Sequence, residues 1–245
     1  MIGNFFGRQA ELADLDAQLR LAVSTGAGRL IAVRGRRQAG KSRLVEEFVT
    51  RSGLPYGAVA GMKRTPVAVQ MQRAVDTLRS SLRPLPKLDA ILAVRPESWF
   101  DLLSRLSLLL ADGPAILVVD EFPWAEETDA GLDGLVQSLW DGELSRRPVL
   151  VVLVGSDEAM MDRLFEHDRP LFGRLDHQLV VNPFDPYETF LALGGSRSAV
   201  DVFDTYLVTG GFPSSWPRPA VSRPPPTSSR MPCPGPTPCW PTSLP

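Results

Sequence analysis

Apolar residues follow two different patterns along the chain, and the two patterns alternate. Unbroken apolar runs, which are typical of strands buried on both faces, occur at 30–33, 115–119 and 149–154. Between such runs, apolar positions recur at helical spacing, most completely from Leu132 to Trp140. Because strands that alternate with helices form parallel sheets covered on both faces, we predict an α/β fold with three layers. Its sheet is expected to be mostly parallel, with about five strands.

Weaker patterns supply the remaining predicted elements. A helical stripe of leucines near the N-terminus ends at a pair of glycines, and prolines and glycines separate the later segments. Thr65 followed by Pro66 has the form of a helix N-cap and a first helical residue, and Gly194 and Gly210 are expected to end helices. The remaining predicted elements are helices at approximately 8–24, 66–82, 96–110, 186–193 and 198–209, and strands at approximately 55–62 and 178–181.

Composition narrows the class of protein. The chain has 245 residues, of which 44% are hydrophobic, enough for one large domain or one domain with a small appendage. The net charge of −2 gives no general attraction to nucleic acid. The cysteines, Cys233 and Cys239, both lie near the C-terminus, which excludes a disulfide scaffold or a cysteine-ligated zinc site in the body of the chain. His167 and His177 do not have a metal-ligand spacing.

The sequence gives no sign of a membrane segment. No apolar run approaches the ~18 residues that a membrane-spanning helix needs, and the N-terminus lacks the apolar stretch of a signal peptide. A body without cysteine also fits a reducing compartment. We therefore predict a cytoplasmic protein that has no membrane partner.

The composition changes abruptly after Trp216. Residues 217–245 include 11 prolines, no acidic residue and no hydrophobic period, so this segment is predicted to be a disordered, proline-rich tail. Two alternatives remain open, a proline-rich docking segment and the product of a shifted reading frame. Because the change to Pro, Arg, Ser and Cys is typical of a GC-rich gene read in the wrong frame, we favour the frameshifted end.

A glycine-containing loop joins the first apolar strand to the next helix. Gly35–Ser42 matches the phosphate-binding pattern G-x-x-x-x-G-K-[ST]. Its glycines let the backbone turn tightly with N–H groups toward phosphate oxygens, and the helix that follows adds its positive terminus. We expect Lys41 to reach the β- and γ-phosphates of ATP and Ser42 to bind Mg²⁺; the alternative is an ordinary turn with a surface lysine. The predicted nucleotide-binding residues of this loop are Gly35, Arg36, Arg37, Gln38, Ala39, Gly40, Lys41, Ser42 and Arg43.

Two acidic residues follow the second apolar strand. Asp120 and Glu121 come directly after 115–119, at the carboxyl end of a strand, where open α/β sheets bind their ligands. Asp120 is expected to hold Mg²⁺, through water, and Glu121 to orient and deprotonate an attacking water molecule. Alternatively, the pair simply ends a strand at the surface. The phosphate-binding loop upstream favours the metal and catalytic roles.

Several segments of the chain together resemble one known family. These segments are Phe6–Leu12, the phosphate-binding loop with its Arg36-Arg37 pair, Leu117–Phe122, Leu153–Ser156, Pro170–Arg174 and Tyr206–Pro213. They are similar to the F-x-G-R-x-x-E-L opening, the G-R-R-x-x-G-K-[ST] loop, the hydrophobic-Asp-Glu segment, the fourth-strand ending, a later G-R motif and the G-G-x-P element of that family. It is the archaeal-type ATPase family of AAA+-related proteins, in the STAND-like branch of P-loop NTPases. The resemblance covers about residues 3–216 and implies a P-loop NTPase domain.

The resemblance also implies roles for residues outside the two main motifs. Phe6, Gly7 and Arg8 would lie near the adenine base; the alternative is a turn leading into a helix, with a solvated arginine. Ser156 would contact the γ-phosphate or the attacking water; alternatively, it caps the following helix. Arg174 would stabilise transition-state charge as an arginine finger or sensor, and a structural or solvated arginine is the alternative.

The family pattern further implies a division of the chain. Residues 1–195 would form the P-loop ATPase domain, 196–216 the start of a helical lid, and 217–245 the tail. Gly211 and Pro213 would shape a hinge that responds to nucleotide, or would simply end a helix. Related proteins continue past this point into a winged-helix-like region, and the proline-rich tail takes its place here, which puts full ATPase activity in question.

Three functional hypotheses follow from these features. The first is an ATP-binding protein with Mg-dependent ATP hydrolysis that acts as a nucleotide-driven switch. The second is a nucleotide-gated interaction module, and the third is a truncated, inactive ATPase fragment. The expected ligands are ATP and Mg²⁺, with a protein partner or self-association as further possibilities. The arginines near the phosphate-binding loop suggest nucleic acid only weakly, since no aromatic residues interleave them and such residues more often face solvent.

Overall fold

The computed structural model describes residues 5–193 and 198–213. The predicted tail at 217–245 and the predicted helix end at Gly194 lie outside these residues, and so does part of the predicted lid region. These three interpretations remain predictions. The described part of the chain contains the phosphate-binding loop, both acidic residues and the segments that resemble the ATPase family.

A parallel sheet of five strands forms the centre of the described residues, as the apolar runs predict. The strands are β1 (Arg29–Arg34), β2 (Tyr56–Ala60), β3 (Ala115–Asp120), β4 (Val149–Gly155) and β5 (His177–Val180). Their order across the sheet is β2-β3-β4-β1-β5, and every pairing is parallel. β4 therefore lies between β1 and β3, and the carboxyl ends of these three strands meet at one edge.

Helices connect the strands and cover both faces of the sheet. They are α1 (Gln9–Thr25), α2 (Lys41–Ser52), α3 (Val67–Arg79), α4 (Leu88–Ile91), α5 (Trp99–Leu109), α6 (Phe122–Thr128), α7 (Leu132–Gly142), α8 (Glu158–Leu164), α9 (Pro186–Ala192) and α10 (Ala199–Thr209). The sequence analysis does not predict α4, which has only four residues and cannot show a helical period, and it does not predict α6. The predicted α/β fold with helices on both faces is confirmed.

Alternate residues of β1, β3 and β4 belong to two separate hydrophobic cores. On one face, Ile31 packs in a cluster that includes Leu15 of α1 and Phe48 of α2. On the other face, Leu30 belongs to a larger cluster that contains Trp99 of α5 and side chains of α3, α6 and α7. Successive strand side chains point to opposite faces, so a strand that supplies both cores must be apolar at every position. This explains the unbroken apolar runs.

The start of α3 differs from the sequence prediction. Pro66, in extended backbone, is the N-cap, and the helix begins at Val67 without a side-chain cap. The Thr65 hydroxyl donates instead to the carbonyl oxygen of Lys63, and the Thr65 carbonyl accepts a hydrogen bond from Gln70. Thr65 is therefore held by the loop that precedes the helix, and its predicted capping role is wrong.

None of the helices in the described residues is both long and apolar enough to cross a lipid bilayer.

The core between α2 and the sheet should dominate stability on its face. Phe48 is fully buried there, so Phe48→Ala is expected to lower the free energy of unfolding by about 3–5 kcal/mol through lost burial and a residual cavity. The matched control is Phe100→Ala on α5, where the ring is 49% exposed and the change should be within about 0.5 kcal/mol. Urea unfolding measures both. Equal losses in the two variants would contradict this assignment of the core.

Candidate functional site

The loop between β1 and α2 has a backbone that requires glycine at two positions. Gly35 has φ of 144°, and a Cβ atom there would lie 2.2 Å from the carbonyl oxygen of Val181. Gly40, with φ of 94°, is the N-cap of α2. Because side-chain-bearing residues rarely adopt these conformations, the two glycines allow the tight turn that directs the loop back over the start of the helix.

Lys41 begins α2, and its side chain folds back into the loop. The residue is only 5% exposed, and its Nζ donates to the carbonyl oxygens of Gly35 at 2.8 Å and Arg36 at 2.9 Å. Burial lowers the pKa of this ammonium, while the nearby charges of Glu121 and Asp120 oppose that shift. The loop thus encloses a cation whose present partners are neutral backbone oxygens.

Asp120 and Ser42 lie together where β3 ends beside the start of α2. The Ser42 hydroxyl lies near the Asp120 carboxylate, which accepts a hydrogen bond from the backbone N–H of Glu121 at 2.8 Å. Burial raises the pKa of Asp120, and the nearby Ser42 hydroxyl partly offsets that effect. A groove of about 350 Å³ opens beside the pair, which gives water a route to it.

The chemistry of this pair fits magnesium. Both side chains offer oxygen atoms, and Mg²⁺ is usually held by one or two protein oxygens, with waters and phosphates completing the octahedron. Within the residues that the structure describes, no group of three or more His, Cys, Asp or Glu side chains could hold a metal ion. The pair therefore suits an ion that arrives with a phosphate ligand rather than one held by protein groups alone.

Glu121 is held in an unusual conformation next to this pair. Its φ of 48° and ψ of 43° lie in the left-handed region, which few non-glycine residues occupy. Its carboxylate accepts hydrogen bonds from the Ser156 hydroxyl at 2.9 Å and the Ser156 N–H at 3.3 Å. Ser156 follows β4 and Glu121 follows β3, and the pairing of these two strands brings the residues together. The alternative that Ser156 caps α8 is wrong, since Asp157 is that cap.

Arg8 is buried beside the phosphate-binding loop and connects the loop to another segment of the chain. The side chain is 5% exposed, and its Nη2 donates to the carbonyl oxygens of Ala39 at 3.0 Å and Asn182 at 2.5 Å. Its guanidinium carbon lies 4.1 Å from the centre of the Phe184 ring, and its Nη1 donates to Glu11. The alternative of a solvated arginine is wrong. Arg8 instead ties the loop to the segment that follows β5.

The turn after α10 also lies against the phosphate-binding loop. Gly211 has φ of 74°, its carbonyl accepts from the N–H of Phe184 at 2.9 Å, and a Cβ atom there would lie 2.0 Å from the Phe184 carbonyl oxygen. The Arg36 guanidinium lies 6.0 Å from the Phe212 ring, and Pro213 approaches the space beside Gly40. Phe184 is therefore the common neighbour of this turn and of Arg8.

Phe184 and Asn182 were not identified from the sequence. Both lie in the short connection between β5 and α9, and nothing in their spacing marks them. Gly7 has φ of 67° and a Cβ atom there would meet the Phe184 ring at 3.0 Å, whereas Phe6 is half-exposed. The resemblance to the ATPase family indicated Gly7 and Arg8, but the residue that joins them to α10 appears only in the fold.

The other arginines have different surroundings. Arg174 forms a bidentate pair with Asp141, which lowers the pKa of that carboxyl group. Because Arg174 precedes β5, it lies at the amino-terminal edge of the sheet. The phosphate-binding loop of the same chain lies at the opposite edge. Arg34 and Arg43 pair with acidic residues of α8 and α2. Arg36, Arg37 and Gln38 are exposed on the loop.

Comparison with known sequences identifies a shared domain. The family model described as the AAA ATPase domain matches residues 4–152, which include the phosphate-binding loop, Asp120 and Glu121. An uncharacterized protein of Methanocaldococcus jannaschii is 25% identical over 181 residues. That alignment covers 73% of this chain and 36% of the archaeal protein, so the chain spans about a third of its relative's length.

Several solved structures share the fold. A Walker-type ATPase of Pyrococcus abyssi superposes with a TM-score of 0.60 at 18% identity, over 85% of this chain and 65% of that one. The ORC2 protein of Aeropyrum pernix, solved in ADPNP-ADP complexes, gives 0.53 at 16% identity, over 78% and 51% of the two chains. The Drosophila ORC bound to DNA gives 0.52 at 18% identity, over 81% and 49%. At these identities the likeness is one of fold.

The burial of Asp120 predicts a pH dependence of stability. Since its pKa is raised on folding, the stability that Asp120 contributes is complete below the unfolded value of 3.8 and is lost as the pH rises through the folded value. Asp120→Asn keeps an acceptor oxygen but cannot ionise. Without nucleotide and with EDTA present, wild type should therefore become less stable relative to this variant as the pH rises from 3.8, until the folded pKa is passed. Urea unfolding across this range tests it, and a relative gain by wild type would contradict it.

Proposed function

The chain belongs to the AAA ATPase domain family, and we propose that it binds ATP with Mg²⁺ and hydrolyses the ATP to ADP and phosphate. The observation that carries this proposal is the convergence of four side chains at one edge of the sheet. Lys41 and Ser42 begin α2, Asp120 ends β3 and Glu121 follows it directly, with the Ser42 hydroxyl close enough to Asp120 to lower the pKa of that carboxyl group. Phosphoryl transfer to water needs a cation that binds phosphate, oxygen ligands for a metal ion and a general base, and these side chains supply each of them.

Phosphate binding would use the loop and the buried lysine. The triphosphate oxygens would accept hydrogen bonds from the backbone N–H groups of Gly35–Ser42 and replace the carbonyl oxygens of Gly35 and Arg36 as partners of Lys41. A phosphate oxygen carries negative charge, whereas a carbonyl does not. Binding would therefore stabilise the charged form of Lys41 and offset the desolvation that lowers its pKa.

Ser42 and Asp120 would hold the magnesium ion. When bound, the ion neutralises charge on the β- and γ-phosphate oxygens. A nearby cation also favours ionised Asp120, which burial alone disfavours.

Glu121 would act as the general base. Its carboxylate would accept a proton from a water molecule as the water oxygen bonds to the γ-phosphorus and the bond from that phosphorus to the β–γ bridging oxygen breaks. ADP and inorganic phosphate leave, and the proton passes from Glu121 to solvent. The Ser156 hydrogen bonds at 2.9 Å and 3.3 Å would orient the carboxylate for this step.

We further propose that the nucleotide acts as a switch on α9 and α10. This rests on the contacts of the turn after α10, in which Gly211 bonds Phe184 and Phe212 approaches Arg36 of the loop. A loop that changes its partners on binding phosphate would change the surface that this turn contacts. A protein partner or a second copy of the chain that binds the α9–α10 pair would then sense the nucleotide.

Loss of the general base should separate hydrolysis from binding. Glu121→Gln is expected to lower kcat for ATP hydrolysis by about a hundredfold or more, because the amide cannot accept the proton of water, while Mg-ATP binding is retained. The matched control is Glu127→Gln, an exposed residue of α6, which should leave kcat unchanged. Phosphate release from purified protein measures turnover. Equal rates in wild type and Glu121→Gln would show that the catalytic assignment is wrong and favour a nucleotide-gated module.

Loss of the loop lysine should abolish nucleotide binding. Mg-ATP at a hundred times its Kd should stabilise wild type by about 2.7 kcal/mol, since ligand that binds only the folded state adds to its stability. Lys41→Ala removes the ammonium that faces the phosphates and should show little of this stabilisation, whereas Lys87→Ala, an exposed lysine before α4, should behave as wild type. Thermal unfolding with and without nucleotide measures this. An unchanged melting temperature in wild type would favour an inactive fragment.

A further inference from the structure

Gln70 of α3 is a fully buried polar residue whose side chain joins three other parts of the chain, the loop after β2, α5 and α6. Its Oε1 accepts hydrogen bonds from the Met62 N–H at 3.0 Å and the Trp99 indole N–H at 3.1 Å. Its Nε2 donates to the Thr65 carbonyl at 2.8 Å and the Thr128 hydroxyl at 3.1 Å. A glutamine amide has two donors and two acceptor positions, so this side chain uses its full capacity.

The partners of Gln70 allow only one orientation of its amide. Met62 and Trp99 both present N–H donors, so the amide oxygen must face them. The Thr65 carbonyl can only accept, so the amide nitrogen must face it. The Gln70 amide and the Trp99 indole N–H are buried, and leaving them without partners would be unfavourable, so this network constrains the groups that Gln70 bonds.

Two of these hydrogen bonds attach the loop between β2 and α3, residues 61–66, to Gln70, and the same loop contacts the end of β3. The Gly61 N–H donates to the Asp120 carbonyl at 2.8 Å. A Cβ atom on Gly61 would lie 2.5 Å from the Glu121 carbonyl oxygen and 2.6 Å from the Ala125 nitrogen. The loop backbone is therefore in direct contact with the backbone on both sides of Glu121.

The other side of Glu121 is connected to Gln70 through α6. This helix starts immediately after Glu121 and ends at Thr128, whose hydroxyl accepts from Gln70 and donates to the Trp124 carbonyl. Glu121 thus lies between two segments that Gln70 holds. A left-handed conformation at a glutamate persists only where its surroundings impose it, and these two contacts do so.

We propose that Gln70 is a positioning residue for Glu121, keeping its backbone in the left-handed conformation from which the carboxylate reaches Ser156. The inference rests on the proposed function, because it concerns the general base of that reaction. Asp120 is also held by the pairing of β3 with β2, where it is level with Ala60, and Lys41 lies on α2, which contributes no hydrogen-bond partner to the Gln70 side chain. Gln70 should therefore affect turnover rather than nucleotide affinity.

The test separates kcat from Kd. Gln70→Met keeps the size and apolar stem of the side chain but removes all four hydrogen bonds. It should lower kcat for ATP hydrolysis by about ten- to hundredfold, the effect of a small displacement of a reacting group, and leave the Kd for Mg-ATP within about twofold. The matched control is Gln18→Met, which removes hydrogen bonds to Arg29 at the other edge of the sheet and should leave both constants unchanged.

Two further measurements exclude a general loss of structure. Hydrogen exchange of the segment from Leu117 to Ala125 should accelerate in Gln70→Met and remain as in wild type in Gln18→Met. If Gln70→Met does not fold, Thr128→Val decides the question, since it removes only the α6 side of the network at an exposed residue and should lower kcat in the same direction by a smaller factor.

A double substitution identifies the path of the effect. Once Glu121→Gln has removed the base, adding Gln70→Met should lower kcat no further, because residues that act as a unit are non-additive. An equal fractional loss in both backgrounds, or an unchanged kcat in a folded Gln70→Met variant, would overturn the positioning role. If Glu121→Gln itself leaves kcat unchanged, the proposed function has failed instead, and the two failures are distinguishable.

Discussion

The parallel pairing of β4 with β1 and β3 is the constraint on which the site depends. Arg34 at the end of β1 is level with Gly155 at the end of β4, and Val119 of β3 is level with Leu153. Parallel strands in this register release their loops at the same edge of the sheet. The phosphate-binding loop, the acidic pair and Ser156 are far apart in sequence, yet they meet because the three strands end together. The two apolar cores stabilise this register, since a shift of one residue would exchange the faces of every strand.

The arrangement places charged groups where solvation is poor. Burial lowers the pKa of Lys41 and raises that of Asp120, so each group is less stable as an ion in the folded protein than in water. Glu121 adds a left-handed backbone conformation. These features oppose folding. A bound triphosphate would supply negative charge beside Lys41, and its metal ion would supply positive charge beside Asp120. A site of this kind is prepared for its ligand before the ligand binds, which is how electrostatic preorganisation operates in enzymes.

The sequence predicts the parts of this molecule that depend on local pattern. The apolar runs locate β1, β3 and β4, and the glycine spacing of the phosphate-binding loop locates Lys41 and Ser42. The contacts of Arg8 could not be predicted, because Ala39, Asn182 and Phe184 reach it only through tertiary packing. Gln70 lies at helical spacing from Ala74 and Leu78 on the buried face of α3, but nothing in the pattern indicates which groups its amide bonds. The four residues of α4 are too few to show a helical period. For Arg174 the sequence contains the motif but does not predict the position. A motif shared with a family does not determine which edge of the sheet the residue occupies.

The surroundings of the phosphate-binding loop connect the nucleotide with the last described helices. Arg8 bonds the loop and stacks on Phe184, and the backbone of Phe184 bonds Gly211 at the end of α10. The connection from the loop to α10 therefore consists of the Arg8 side chain, Phe184 and the turn after α10. The backbones of Phe184 and Gly211 are in such close contact that a Cβ atom at Gly211 would have no space. Coupling between two sites is reciprocal in free energy: if phosphate binding shifts α10, a partner that holds α10 shifts the nucleotide affinity by the same factor. A partner that contacts α10 would therefore act on the loop through this short path.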